Sequence, residues 1–189
     1  MTSISNDNDD LRVLLLPGWL DSGPGHWQTL WEQQHGDRRV EQADWQWPRR
    51  GDWMARLEEV LLDDPRPTLL AAHSLGCHLV AAWAAHSRHT DRVVGALLVA
   101  PPDLGQPDTP VQLRGWWPPL RSRLPFAAHV AYSDDDPFCA PDQARALAAD
   151  WGATARAIGP RGHINAESGL GDWRDGRAWL FGLAVAHRA

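Results

Sequence analysis

Residues 68–72 (TLLAA) form a short apolar run that suits a strand buried on both faces, and residues 75–85 (LGCHLVAAWAA) follow at once as an Ala-rich helix. Only His73 and Ser74 separate the two. So abrupt a passage from buried strand to apolar helix demands a layered α/β arrangement, because both faces of the strand need cover and the helix must lie on the sheet. The rest of the chain repeats the alternation. Residues 11–16 (LRVLLL), 93–100 and 153–158 read as strands, with strand character also at 130–132 and, weakly, at 40–43. Helices are expected at 26–34, 141–151 and 173–186. Another opens at Gly51 and Asp52, with Asp52 as its N-cap, Trp53, Leu57, Val60 and Leu61 on one face, and Pro65 and Pro67 beyond its end. Residues 101–125, rich in Pro and Trp, form the one long irregular connection. The prediction is one three-layer domain over residues 11–189, with a mostly parallel central sheet, helices on both faces, and a flexible acidic tail at residues 1–10.

The turn between the first-mentioned strand and helix, residues 71–76 (AAHSLG), approximates the G-x-S-x-G nucleophile elbow, with Ala72 in place of the first Gly. Such a turn holds the Ser in strained backbone geometry and lifts its hydroxyl above the sheet. Small neighbours are needed because strand and helix pass close together, and Ala72 and Gly76 both qualify. The same pattern alone also fits an ordinary Ser N-cap. Two further pieces follow in the order Ser, Asp, His. Residues 133–137 (SDDDP) lie just beyond the strand ending at Tyr132, and Gly162-His163 follow the last strand. Each falls at the carboxyl end of a strand, the edge where open parallel sheets build their sites. Of the three acids, Asp136 precedes Pro137, whose ring forces its neighbour toward extended geometry and so fixes its backbone. Asp134 and Asp135 read as turn formers. The Pro17-Gly18-Trp19 loop would supply the Trp19 N–H to an oxyanion hole shared with the Leu75 N–H; a simple Pro-Gly turn is the alternative.

These residues resemble the YdeN-like and retinoblastoma-binding-protein-9-like serine hydrolases. The likeness rests on Leu16-Pro17-Gly18 with Trp27 and Trp31, on residues 72–77 (AHSLGC), on residues 135–138 (DDPF), and on residues 162–173 (GHINAESGLGDW). It implies a cap-less α/β-hydrolase fold, a Ser74–His163–Asp136 triad, and cleavage of small esters or amides. An acyltransferase or peptidase using the same triad is the nearest rival, and a binding protein on a retired hydrolase scaffold is the rival from another class. The pocket-protein motif L-x-C-x-E is incomplete at residues 75–79 (LGCHL), so that type of partner is not implied.

Other features bound the reading. The formal net charge of −6, with eighteen basic residues that are all Arg, argues against nucleic acid and fits a GC-rich bacterial genome. No apolar run approaches the ~20 residues of a membrane span, and residues 1–10 lack a signal peptide's features, so a cytoplasmic location is expected. Cys77 and Cys139 are expected as reduced core thiols. The twelve Trp are scattered without a repeat and read as mainly structural. Gly18, His26, Trp116 and Trp117 are candidate substrate contacts, with His73 in support. His86 and His89 lack companion ligands, so no metal is expected, and the chemistry needs no cofactor.

Overall fold

The structure, a computed structural model, describes residues 11–188; the tail expected at residues 1–10 lies outside them. Six strands form one sheet: β1 (Arg12–Leu16), β2 (Arg38–Arg39), β3 (Thr68–His73), β4 (Val93–Val99), β5 (Ala128–Tyr132) and β6 (Thr154–Ala157). Their order is β2-β1-β3-β4-β5-β6, and every pairing is parallel. The chain moves outward from β1 on one side to β2 and on the other to β3, so the sheet has a switch point between β1 and β3. Ligands of open parallel sheets bind at such a point, outside the carboxyl ends of the strands.

Alternate side chains of each strand face opposite ways, and both faces are apolar. Leu14, Leu16, Leu70, Ala72, Leu98 and Val130 meet one helical layer. That layer consists of α2 (Arg50–Leu62), α3 (Leu75–His86) and α4 (Pro141–Trp151), which contribute Leu57, Leu79, Trp83 and Trp151. Val13, Leu15, Leu69, Ala71 and Leu97 meet the other layer, α1 (Trp27–His35) and α5 (Arg174–Arg188), through Trp27, Trp31 and Leu180. The result is a three-layer α/β structure. Arg12, buried at the start of β1, ties it to β3 and α2: its Nε donates to Thr68 Oγ1 at 2.8 Å and its guanidinium to the Val60 carbonyl at 3.1 Å and to that of Leu61. Those carbonyls are the ones a helix C-terminus leaves unpaired.

Two local expectations are corrected. The second strand is Arg38–Arg39, not residues 40–43, and it pairs with Leu14 and Leu15. Arg39 is buried there because Asp21 and Glu32 neutralise it, a tertiary arrangement that apolar patterning cannot register. Helix α2 is flanked at its start by Arg49, without a side-chain cap, and Asp52 lies in its first turn instead. Its carboxylate there favours the positive end of the helix dipole rather than closing an N–H.

Candidate active site

Ser74 joins β3 to α3 with φ 54° and ψ −123°, a region that costs a non-glycine residue of the order of 1–3 kcal/mol and persists only where the surroundings enforce it. The surroundings here are close packing on three sides. The Ser74 N–H donates to the Val99 carbonyl at 2.8 Å. A Cβ on Gly76 would fall 2.2 Å from the Leu16 carbonyl oxygen, so only glycine lets the first turn of α3 cross the end of β1. A Cβ on Gly18 would fall 2.7 Å from Ser74 Cβ and 3.2 Å from the Leu75 nitrogen, which brings the loop after β1 directly against the elbow. Gly18, expected as a substrate contact, packs against Ser74 in the structure.

His163 arrives on the loop after β6, and Asp136 on the turn after β5. His163 Nε2 is 2.9 Å from Ser74 Oγ, and His163 Nδ1 is 3.0 Å from both Oδ1 and Oδ2 of Asp136. A carboxylate only accepts, so Nδ1 carries the proton and Nε2 is left to accept from the Ser74 hydroxyl. Asp136 Oδ1 also accepts the Phe138 N–H at 2.9 Å, and the Asp136 side chain is only 3% exposed. Asp135 points elsewhere: its Oδ1 accepts from Ser133 Oγ and from the Gly162 N–H, each at 2.7 Å. Those bonds, the Ser133 one foremost, hold its carboxyl below the usual range.

Two more imidazoles stand behind His163. His73 is buried with its ring centroid 4.9 Å from that of His163, and its Nε2 donates to the His163 carbonyl at 2.8 Å. The His26 ring lies 4.6 Å from His73, and its Nδ1 accepts the Gln28 N–H at the start of α1. With 4% of its surface exposed, His26 backs the site instead of lining it, which corrects its expected role as a substrate contact. Burial lowers the His26 pKa to about 3 and that of His73 well below the ordinary value. His78, on α3, is lowered to about 4 by the same cause.

All three are therefore neutral in the folded protein, and the unfolded chain takes up their protons first. Each stabilises fully above its unfolded pKa near 6.5 and loses that contribution as pH falls toward its folded value. Thermal melts at about pH 7 and about pH 5 should show a clear drop in Tm at the lower value, whereas an unchanged Tm would mean that these imidazoles titrate normally.

The remaining expectations divide. Trp19 is half-buried, with Nε1 donating to the Gln46 carbonyl at 2.9 Å. Trp116 does not border the site: it is 1% exposed, its ring lies 5.5 Å from Trp53, and its Nε1 donates to the Pro48 carbonyl at 2.8 Å. A tryptophan that can pair its one polar atom is drawn into the core, and this correction follows from that tertiary bond. Trp117 is exposed and lies over Gly105. Phe138 was not predicted as a site residue, yet its ring centroid is 4.7 Å from that of His163 and half its surface is exposed. Its signal was present in residues 135–138 (DDPF), one place beyond Pro137. His86 bonds to the Ala82 carbonyl and His89 to Glu58, and both cysteines are free, buried thiols.

A parallel sheet whose third strand ends in a strained serine elbow, at the switch point, defines the α/β-hydrolase class. The model of the family described as serine hydrolase matches residues 13–181, so the chain belongs to that family. The chain is similar to a YdeN-like hydrolase from Pectobacterium atrosepticum: 25% identity, 95% of this chain and 94% of that one covered, TM-score 0.83. It also resembles the ydeN gene product of Bacillus subtilis, at 19% identity over 91% of this chain and 97% of the other, TM-score 0.73. A Bacillus cereus carboxylesterase shares the fold at 16% identity, covering 94% of this chain and 90% of its own, TM-score 0.60. Comparison with curated protein sequences gives no match. No helix among the described residues is long and apolar enough to cross a membrane.

Proposed function

We propose that the protein hydrolyses small carboxylic esters, and activated amides more slowly, through an acyl-enzyme on Ser74. One observation carries the reading: Ser74 Oγ, His163 and Asp136 form a continuous hydrogen-bonded chain with the serine at a strained elbow. In the first half-reaction His163 Nε2 takes the Ser74 proton while Oγ bonds to the substrate carbonyl carbon. The resulting oxyanion is held by the N–H groups of Leu75, the first residue of α3, and of Trp19, in the loop that touches the elbow. His163 then gives the proton to the departing alkoxide, and the carbon–oxygen bond of the ester breaks. In the second half-reaction His163 takes a proton from water, hydroxide adds to the acyl carbon, and the carboxylic acid leaves as Ser74 regains its proton. Asp136 keeps the proton on Nδ1 in the resting state and stabilises the imidazolium in both halves. The steps balance without metal or cofactor. The reading extends to a single-domain, cytoplasmic, bacterial enzyme that acts on small molecules.

Acyl size follows from the segment between β4 and β5. Leu104, Leu113, Trp116 and Leu124 are all buried in the main core, so this connection is spent on the body of the protein. Exposed Phe138 beside His163, and exposed Leu20 just after the Trp19 loop, leave a shallow apolar rim. Across p-nitrophenyl esters of graded length, kcat/KM should be greatest for short acyl groups, since each extra methylene gains little without a pocket to enclose it. A steady rise to long-chain esters would contradict the shallow site.

A further inference from the structure

The loop that carries His163 has little intrinsic stiffness. Gly159 and Gly162 adopt φ 74° and 55°, and Ile164 takes φ 50°, a region in which only external bonds hold a β-branched residue. Such bonds flank His163 on both sides. On its amino side, the Gly162 N–H donates to Asp135 Oδ1 at 2.7 Å, and the Arg161 N–H donates to Ser133 Oγ at 2.8 Å. On its carboxyl side, the His163 carbonyl accepts from His73 Nε2 at 2.8 Å.

The two anchors occupy matched positions in the chain. His73 directly precedes Ser74, and Asp135 directly precedes Asp136. Each of the two turns thus delivers one group to the His163 imidazole and one hydrogen-bonding partner to the adjoining main chain, Asp135 at the Gly162 N–H and His73 at the His163 carbonyl. The side chain is held at both ring nitrogens and the main chain on both sides.

We infer that Asp135 and His73 are positioning residues, which act on the reaction by holding the main chain at Gly162 and His163 and not by touching substrate. The inference rests on the proposed triad. Asp135 would work as an acceptor, so its charge is dispensable; His73 would work as an Nε2–H donor, so its ring basicity is dispensable. Burial keeps His73 in the neutral form, in which Nε2 can carry that proton without a second charge beside the His163 imidazolium.

The conservative substitutions separate this from a merely structural role. In hydrolysis of p-nitrophenyl acetate, Asp135→Ala should lower kcat about tenfold with KM within about twofold, because a misplacement of under 1 Å at a reacting group costs rate before it costs binding. Asp135→Asn should recover kcat to within about threefold of the parent, since the amide oxygen still accepts the Gly162 N–H. His73→Phe should lower kcat at least as far, and His73→Gln, whose amide can reach the same carbonyl, should recover part of it. Asp135 is exposed, so its variants fold and decide the matter even if those of buried His73 do not. Asp135→Ala with kcat within twofold of the parent would overturn the inference, as would Asp135→Asn no better than Asp135→Ala. Ser74→Ala run in parallel keeps the two readings apart: turnover surviving in it sinks the hydrolase reading, whereas its loss beside an unaffected Asp135→Ala sinks only the positioning role.

Discussion

Asp136→Asn is expected to lower kcat for ester hydrolysis by about 10^4, the loss seen when a serine-protease triad loses its acid to an amide. Both carboxylate oxygens of Asp136 lie 3.0 Å from His163 Nδ1, so the carboxylate demands a proton there. An amide in the same place can turn its NH2 toward Nδ1 and favour the tautomer with the proton on Nε2. That nitrogen, 2.9 Å from Ser74 Oγ, could then no longer accept the serine proton. The imidazolium formed during turnover would also lose its counter-charge. Folding should survive, because the amide oxygen can still accept the Phe138 N–H that Asp136 now accepts. The matching changes Asp134→Asn and Asp135→Asn should cost about threefold at most, since Asp134 is exposed with only its backbone N–H bonded, to the Gly159 carbonyl, and an amide oxygen at Asp135 still accepts from Ser133 and Gly162. Measuring kcat for the three purified, folded variants ranks them. If Asp135→Asn is the crippled protein, the acid is one residue earlier than proposed.

Ser74→Ala should remove about 10^3-fold or more of turnover, because no other group in the proposed mechanism can form the acyl bond. The substitution deletes one oxygen whose hydrogen-bonding partner is His163 Nε2, and it leaves the packing that enforces the elbow in place. The positive φ of Ser74 costs alanine about as much as it costs serine. Thermal unfolding should therefore shift by only a few degrees. A folded Ser74→Ala protein that keeps half of the parent turnover would remove Ser74 from the reaction.

Much of the architecture was legible because burial on both faces of a parallel strand writes itself as a short apolar run. β1, β3 and β4 are such runs, and β1 and β3 end where a loop of the candidate site begins. β2 is misplaced by apolar patterning because its two residues are arginines, one of them buried only through Asp21 and Glu32 in the preceding loop and helix. The meeting of Ser74, Asp136 and His163 at one edge of the sheet was legible because a strand-to-helix serine turn, a following proline and a glycine-rich turn leave local marks in the sequence. The parts that depend on tertiary hydrogen bonds were not readable. Trp116 looked like a border residue until the Pro48 carbonyl paired its indole, and Asp135 looked like a plain turn former although it spans 27 positions to reach Gly162. Phe138 belongs to the same DDPF stretch, but nothing local says that its ring will meet His163.

The central claim is that Ser74 is the activated nucleophile, and covalent labelling tests it most directly. The folded wild-type protein should react with a fluorophosphonate probe, with loss of fluoride, and peptide mapping by mass spectrometry should place the phosphonyl group on Ser74. Folded wild-type protein that takes up no probe, or that carries it on another residue, would contradict the account.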